Sequence, residues 1–215
     1  MLNLSEIFYS LQGESTFAGL PCLFVRLAGC NLNCVYCDTG YARSDDDGEK
    51  VSVAEIVARI SVYQIPLVEI TGGEPLLQEE TPRLVDELLQ LNFTVLMETN
   101  GSLSIAGIDP RVFFIVDVKT PGSQVTAGFN PDNLTLLQPH HQLKFVLVDE
   151  ADFFWSLDFL AEYKAEIGRL EAIFSPVTES FVPDRLAELM LEHRVNARLQ
   201  LQLHTLLWPE SKRGR

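Results

Sequence analysis

The chain is expected to fold as an α/β protein, an incomplete and partly open (β/α) barrel. Three observations predict this. Apolar runs of strand length alternate with segments of helical period, the mark of parallel βα units. Several runs hold almost nothing polar, as strands buried on both faces do. The chain has 215 residues, short of the ~250 of a complete eightfold barrel, and helices are missing between some strands. One domain is the default at this length. It divides into an N-terminal extended segment 1–21, a core 22–205 and a tail 206–215.

Taken in order, residues 5–29 read as extended structure. Ile7-Phe8-Tyr9 is a short apolar segment. Gln12-Gly13-Glu14 with Ala18-Gly19 reads as a loop, and Pro21 opens a strand over 22–27. Cys22 reads as a small buried hydrophobe there. Arg26 interrupts the run, and a charge in a buried strand needs a partner or a ligand. Asp45-Asp46-Asp47 lies in a glycine-containing loop and reads as solvated. Ser52 and Glu55 make a capping box for a helix with Val53, Ile56, Val57 and Ile60 on one face. Pro66 ends it before the strand Leu67-Val68-Glu69-Ile70. Thr81 reads as the cap of the next helix, with Pro82 at its first position and Leu84, Val85, Leu88 and Leu89 inward. Strands follow over 94–97, 112–116 and 142–148, then a helix over 152–167. A short strand at 172–174, a helix over 183–194 and a strand over 198–203 close the series.

Composition excludes several classes. A hydrophobic fraction of 47% is ordinary for a globular core. No apolar run approaches the ~20 residues of a membrane span, and residues 1–6 lack the basic and apolar regions of a signal peptide. A net charge of −14 argues against nucleic acid as the main partner. A cytoplasmic setting is expected, which suits reduced thiols.

In folds of this class chemistry sits at the C-terminal ends of strands. Cys30 directly follows the strand at 22–27. Thr71-Gly72-Gly73-Glu74-Pro75, Glu98-Thr99-Asn100-Gly101, Asp117-Val118-Lys119-Thr120 and Ser175-Pro176-Val177-Thr178 follow later strands, so all converge on one mouth. Cys30, Cys34 and Cys37 are spaced C-x3-C-x2-C. Three thiolates so spaced can ligate three irons of a [4Fe–4S] cluster and leave the fourth iron without a protein ligand. A Cys3His zinc site, with His204 or another histidine as fourth ligand, is the alternative. In the 71–75 string, two glycines let the backbone approach a ligand closely. Exposed carbonyls there can accept from an ammonium group, and Glu74 adds negative charge.

The cysteine spacing and the Gly-Gly-Glu-Pro string resemble the signature of the radical S-adenosylmethionine (SAM) superfamily. Leu11-Gln12-Gly13-Glu14, Arg26, Cys37-Asp38-Thr39, Glu98-Thr99-Asn100-Gly101 and the tail Gln202-Leu203-His204-Thr205-Leu206-Leu207-Trp208 narrow the resemblance. Together they resemble the 7-carboxy-7-deazaguanine synthase family, over about residues 7–214. The resemblance implies a barrel of the radical SAM type and conversion of 6-carboxy-5,6,7,8-tetrahydropterin to 7-carboxy-7-deazaguanine with loss of ammonia. It implies hydrogen abstraction by a 5′-deoxyadenosyl radical, followed by ring contraction. It implies a [4Fe–4S] cluster on Cys30, Cys34 and Cys37, and Mg²⁺ at Thr39. SAM would lie against Tyr36, Cys37, Asp38, Gly73, Asp117, Val118, Lys119, Ser175, Pro176, Val177 and Thr178. Substrate would lie against Leu11, Gln12, Gly13, Glu14, Arg26 and Thr71, with Arg26 pairing a carboxylate at two points. Glu98 is the candidate base for proton removal.

A homodimer and a flavodoxin- or ferredoxin-like reductant belong to the same expectation, with neither nucleic acid nor membrane as partner. Two departures stand out. Ser15 occupies a position where the family usually has glycine. The chain also continues past the aromatic tail, which leaves Pro209 a weak candidate for a substrate contact. His204 reads equally as packing or substrate contact, and His140 and His141 carry no assignment. The rival functions are an activase of a glycyl-radical protein and a zinc-stapled binding protein.

Overall fold

The computed structural model describes residues 1–125, 128–211, 213 and 214. Its centre is a nine-stranded sheet in the order β3-β1-β2-β4-β5-β6-β7-β8-β9. β1 (Leu2–Leu11) pairs antiparallel with β2 (Pro21–Leu27) and with β3 (Glu49–Val51). From β2 onward every pair is parallel: β4 (Leu67–Gly72), β5 (Thr94–Thr99), β6 (Phe113–Asp117), β7 (Gln142–Leu147), β8 (Glu171–Pro176) and β9 (Arg198–Leu199). β3 and β9 stand at opposite edges and do not pair, so the barrel is open. No helix among the described residues is long and apolar enough to cross a membrane.

The outer face carries α1 (Val53–Ser61), α2 (Thr81–Gln90), α3 (Asp132–Leu136), α4 (Glu150–Glu162), α5 (Lys164–Ile167) and α6 (Pro183–Glu192). Period two along each strand sends alternate side chains to opposite faces. Val25, Ile70, Met97, Val116, Phe145 and Phe174 therefore join the helices in one large apolar core. The inner face is layered. Phe8, Cys22, Phe24, Leu67, Leu96 and Ile115 form an apolar floor. Nearer the C-terminal ends the same face changes to Arg26, Thr71, Glu98, Asp117, Lys144 and Ser175, which line a cavity. Cys22 packs in that floor with its thiol buried, which pushes its pKa up.

The open seam is closed by the loop after β1. Its backbone is held by Gln142 of β7 (Thr16 N–H to Oε1, 2.9 Å) and by Gln200 just past β9 (Nε2 to Ser15 O, 2.7 Å). Leu203 N–H adds a 2.9 Å bond to Gly13 O. Ser15 sits at φ 63, in the left-handed region that favours glycine, and its Oγ accepts from Phe17 N–H at 3.1 Å. A local hydroxyl bond thus offsets the strain of a serine at this position.

Several boundaries differ from expectation, for physical reasons. β1 starts at Leu2 because its edge pairs with β3, a three-residue strand with no pattern of its own. Ser52 accepts from Glu55 N–H, so half of the expected capping box forms. Thr81 is the first residue of α2, not its cap; its hydroxyl donates to Pro75 O at 2.6 Å. α4 begins at Glu150 because Asp149 caps it, which frees Asp152 to hold Gly122 N–H and Val148 N–H. That helix breaks at Tyr163, and α5 carries the rest. The expected strand over 198–203 pairs for two residues only. Gln200 and Gln202 then turn to the seam loop, and α7 (Leu203–Leu207) follows.

Candidate active site

One cavity of about 660 Å³ opens at the C-terminal ends of the parallel strands, within the size range of sites that enclose small ligands. Cys30, Cys34, Cys37 and Thr39 line it, as do Leu11, Gln12, Gly13, Glu14, Arg26, Thr71 and Glu98. Tyr36, Asp38, Gly73, Asp117, Lys119, Ser175, Pro176, Val177 and Thr178 complete the expected set. Val118 is the exception: its side chain is fully buried in the outer core, and its N–H is used by Lys144 O at 2.8 Å. Period two explains this, because its neighbour Asp117 already points inward. Pro209 is not among the lining residues.

The cysteine loop is hung on backbone bonds. Gly29 N–H reaches Ala42 O and Cys30 N–H reaches Arg43 O, both at 2.9 Å, while Val35 N–H reaches Ser123 O at 3.2 Å. All three cysteines are free. Burial pushes the Cys30 and Cys34 thiols up, so a metal binding there must displace their protons. His204, the histidine of the zinc alternative, lies with Glu14 and Asp38, their ligand atoms within 4.8 Å of one another.

The Gly72-Gly73 pair has a role that reaches beyond ligand approach. A Cβ on Gly73 would overlap the Gly29 carbonyl, and one on Gly72 would overlap Leu27 backbone. The contact is sealed by Gly73 N–H to Leu27 O at 3.0 Å and Glu74 N–H to Gly29 O at 2.8 Å. Glu74 differs from expectation. It is fully buried and does not line the cavity. Its carboxylate accepts from Asn100 N–H (2.7 Å), Thr99 Oγ1 (2.8 Å) and Leu76 N–H (3.0 Å). Asn100 in turn reaches Asn31 Oδ1 at 3.0 Å and Cys30 Sγ at 3.9 Å. Glu74 therefore ties the ends of β4 and β5 to the cysteine loop, where donors satisfy a carboxylate that burial alone would make costly.

Around the rim, Lys119 Nζ pairs Asp117 Oδ2 at 2.6 Å and stands 5.7 Å from the Tyr36 ring centre. Asp117 Oδ1 and the Tyr36 hydroxyl are buried without a hydrogen-bond partner among the described residues. Unpaired buried polar atoms beside three cysteines suit a polar cofactor. Beside them the Thr39 hydroxyl donates to Asp38 Oδ1 at 2.8 Å and accepts from Arg26 Nη1 at 3.3 Å. Burial pushes the Asp38 carboxyl up, but Thr39, Lys144 and Arg26 outweigh it and hold it below the usual range. A charged carboxylate next to a hydroxyl is an oxygen set that a hard cation favours.

On the substrate side, Arg26 has a protein partner that sequence reasoning missed. Glu6, opposite it in register on β1, accepts from Nε at 2.9 Å and from the Tyr41 hydroxyl at 2.6 Å. Nη1 reaches the Thr39 hydroxyl, and Nη2 makes no hydrogen bond among those described, so it is left for a ligand. Gln12 is buried, donating to Glu69 and accepting Glu14 N–H at 3.0 Å. Glu14 also takes Gln202 Nε2 at 2.7 Å.

The floor holds two buried ionisable residues that sequence reasoning also missed, Glu69 and Lys144. Lys144 Nζ pairs with Glu98, with Glu14 at 2.6 Å and with Asp117 at 3.8 Å. Burial pushes Glu98 above 4.5 while Lys144 opposes the shift. Burial pushes Glu69 well above 4.5, and Glu98 and Glu14 add to it. The folded state thus holds the Glu69 proton more tightly than the unfolded one. Below pH 4.5 both states are protonated; above it stability falls until the folded pKa is passed. Glu69→Gln is accordingly expected to raise the Tm of the ligand-free protein at pH 8. The gain should shrink toward pH 4.5. Thermal melts at both pH values check it, and a lower Tm for the variant at pH 8 refutes a raised Glu69 pKa.

Residues 25–111 match the model of the Radical SAM superfamily. The chain is 45% identical to the 7-carboxy-7-deazaguanine synthase of Chlorobaculum tepidum, over 99% of this chain and 97% of that one. The enzyme of the same name from Koribacter versatilis is 39% identical, over 98% and 99% of the two chains. The crystal structure of QueE from Escherichia coli superposes with a TM-score of 0.78 at 24% identity, covering 94% of each chain, and shows the same fold.

Proposed function

The chain belongs to the 7-carboxy-7-deazaguanine synthase family of radical SAM enzymes, and from that premise we propose how its cavity works. It converts 6-carboxy-5,6,7,8-tetrahydropterin to 7-carboxy-7-deazaguanine and ammonia, using a [4Fe–4S] cluster, SAM and Mg²⁺. The observation that carries this is the layout of one inner face: three cysteines at the rim, and a floor of Arg26, Glu69, Glu98 and Lys144. When bound, the cluster and SAM supply a radical that abstracts hydrogen from the substrate.

The chain's own residues do the rest. Cys30, Cys34 and Cys37 hold the cluster, and the close contact at Gly73 sets where their loop lies. The unpaired Asp117 Oδ1 and Tyr36 hydroxyl, with Lys119 and the 175–178 segment, receive SAM. Thr39 offers its hydroxyl oxygen to Mg²⁺ beside Asp38. Arg26, its Nε fixed by Glu6 and its Nη1 by Thr39, presents Nη2 and the second Nη1 hydrogen to the substrate carboxylate. Leu11, Gln12, Gly13, Glu14 and Thr71 frame the pterin, and the seam loop keeps bulk water off the floor. Glu98 takes the proton whose loss makes the product aromatic. The same reading includes a homodimer, reduced in the cytoplasm by a flavodoxin- or ferredoxin-like protein.

Anaerobically reconstituted enzyme given SAM, a reductant, Mg²⁺ and the carboxytetrahydropterin should release one ammonia per deazapurine. Omitting Mg²⁺ should lower the rate. An intact cluster with no turnover would overturn the reading in favour of the glycyl-radical activase.

A further inference from the structure

Lys144 has no assigned role, yet it is the most connected charge in the cavity. Its side chain is 5% exposed. It stands on the inner face of β7, opposite Asp117 of β6 in register. Its ammonium joins Glu14 of the seam loop, Glu98 of β5 and Asp117, three carboxylates from three elements. Burial pulls its pKa down, and those carboxylates more than reverse the effect, so it stays charged.

Stability does not account for such a cluster. Buried ion networks are commonly neutral or worse against apolar packing of the same volume. Ile115 of the apolar floor lies one pleat below Asp117, the register partner of Lys144, on the same face, so an apolar residue at 144 would have a neighbour. Perturbed charges gathered in a cleft point to function instead. Two geometric facts say which. The two oxygens of Glu98 have unequal partners: Oε1 is held by Lys144, while Oε2 takes only a 3.4 Å bond from Thr71. And Glu14 and Asp117 pair with the same ammonium as Glu98, so without that cation Glu98 would face like charges with nothing to offset them.

We infer that Lys144 is a positioning residue for the proton-transfer step. It pins Glu98 by Oε1, keeps it anionic against the neighbouring carboxylates, and leaves Oε2 facing the cavity. This rests on the proposed function for its kinetic consequence but not for its electrostatic one.

The test has a kinetic arm and a spectroscopic arm on the full chain. Lys144→Met should lower kcat at least tenfold, with iron content and the KM for SAM within twofold of the parent. Lys144→Arg should recover part of the loss. The double variant Lys144→Met/Glu98→Gln should be no slower than Glu98→Gln alone, because Lys144 acts through Glu98. Losses that multiply, or a kcat that falls only in step with iron content, would overturn the inference. In the second arm, carboxyl ¹³C signals of glutamate-labelled protein are followed against pH, with Glu98→Gln assigning the signal. Lys144→Met should move the Glu98 titration upward, and an unmoved titration overturns the inference even if the parent makes no deazapurine. That last result by itself would refute the proposed function instead.

Discussion

Gly73→Ala is expected to cost the cluster, and with it the activity, although Gly73 offers no ligand atom. The new methyl would overlap the Gly29 carbonyl and press on Cys30 N. Both obstacles are backbone, and neither can rotate away. The end of β4 and the cysteine loop must separate, which breaks Gly73 N–H to Leu27 O and Glu74 N–H to Gly29 O. Overpacking of this kind costs ~1–3 kcal/mol, small enough for the sheet to survive. The loop, however, holds Cys30 directly, and misplacement by ~1 Å can cost 10²-fold in rate. Iron bound after anaerobic reconstitution should fall well below half of the parent, and turnover by at least about 10²-fold. Gly107→Ala is the control, since a Cβ there meets nothing within 4 Å. Full iron and full activity in Gly73→Ala would mean that the strand end and the loop move independently. Far-UV circular dichroism separates a displaced loop from an unfolded chain.

The same contact explains why much of the site was legible in sequence. A rim at strand ends is built from short contiguous strings, and the strings around Cys30, Gly73, Glu98 and Asp117 all line one cavity or adjoin it. The floor is different. Its residues come one or two per strand, separated by apolar neighbours that belong to the other face. Arg26 drew notice because a charge interrupting an apolar strand needs a reason. Glu69 in Leu67-Val68-Glu69-Ile70 and Lys144 within β7 break their strands in the same way, and the same rule would have flagged both. Sequence could not have paired Glu6 with Arg26, because the register of β1 on β2 shifts between Leu4 and Glu6. Nor could it turn Glu74 away from the ligand. Its position in the string is that of a rim residue, and only the packing of Thr99 and Asn100 against it makes it a clamp. Val118 errs in the opposite sense: it lies within a rim string, yet it faces the core. The closing segment at 198–203 carries alternating apolar residues, but its glutamines are spent on the seam loop rather than on a strand.

Glu98→Gln should give the largest loss that leaves cluster, fold and substrate contacts intact. Glutamine keeps the shape and can still accept from Lys144, but it cannot take a proton. A positioned general base contributes about 10²–10⁴-fold, and kcat is expected to fall by that order. The KM for the pterin should stay within about threefold, as for an interaction made only in the transition state. The pH profile carries the sign. Burial raises the Glu98 pKa above 4.5 against the pull of Lys144, so the base is protonated and idle at low pH. Activity should rise with pH through that raised pKa, a limb displaced upward from that of an ordinary carboxylate and absent from the Gln variant. Substrate deuterated at the carbon that loses its proton adds a second measurement. The parent should exchange label with solvent or show an isotope effect that the variant lacks. A Gln variant within about threefold of the parent in kcat would reduce Glu98 to a hydrogen-bond acceptor, far short of a general base. Proton removal would then fall to Glu14, Glu69 or Asp117 on the same floor. Among these, Glu69 is already bonded to Gln12 and Asp117 to Lys119, and Glu14 is shared between Lys144 and Gln202. Asp117 also leaves Oδ1 without a hydrogen bond among the described residues, but that oxygen is assigned to SAM; Glu98 keeps Oε2 with nothing closer than the 3.4 Å contact to Thr71, a residue that frames the pterin, which is why the base is assigned to it.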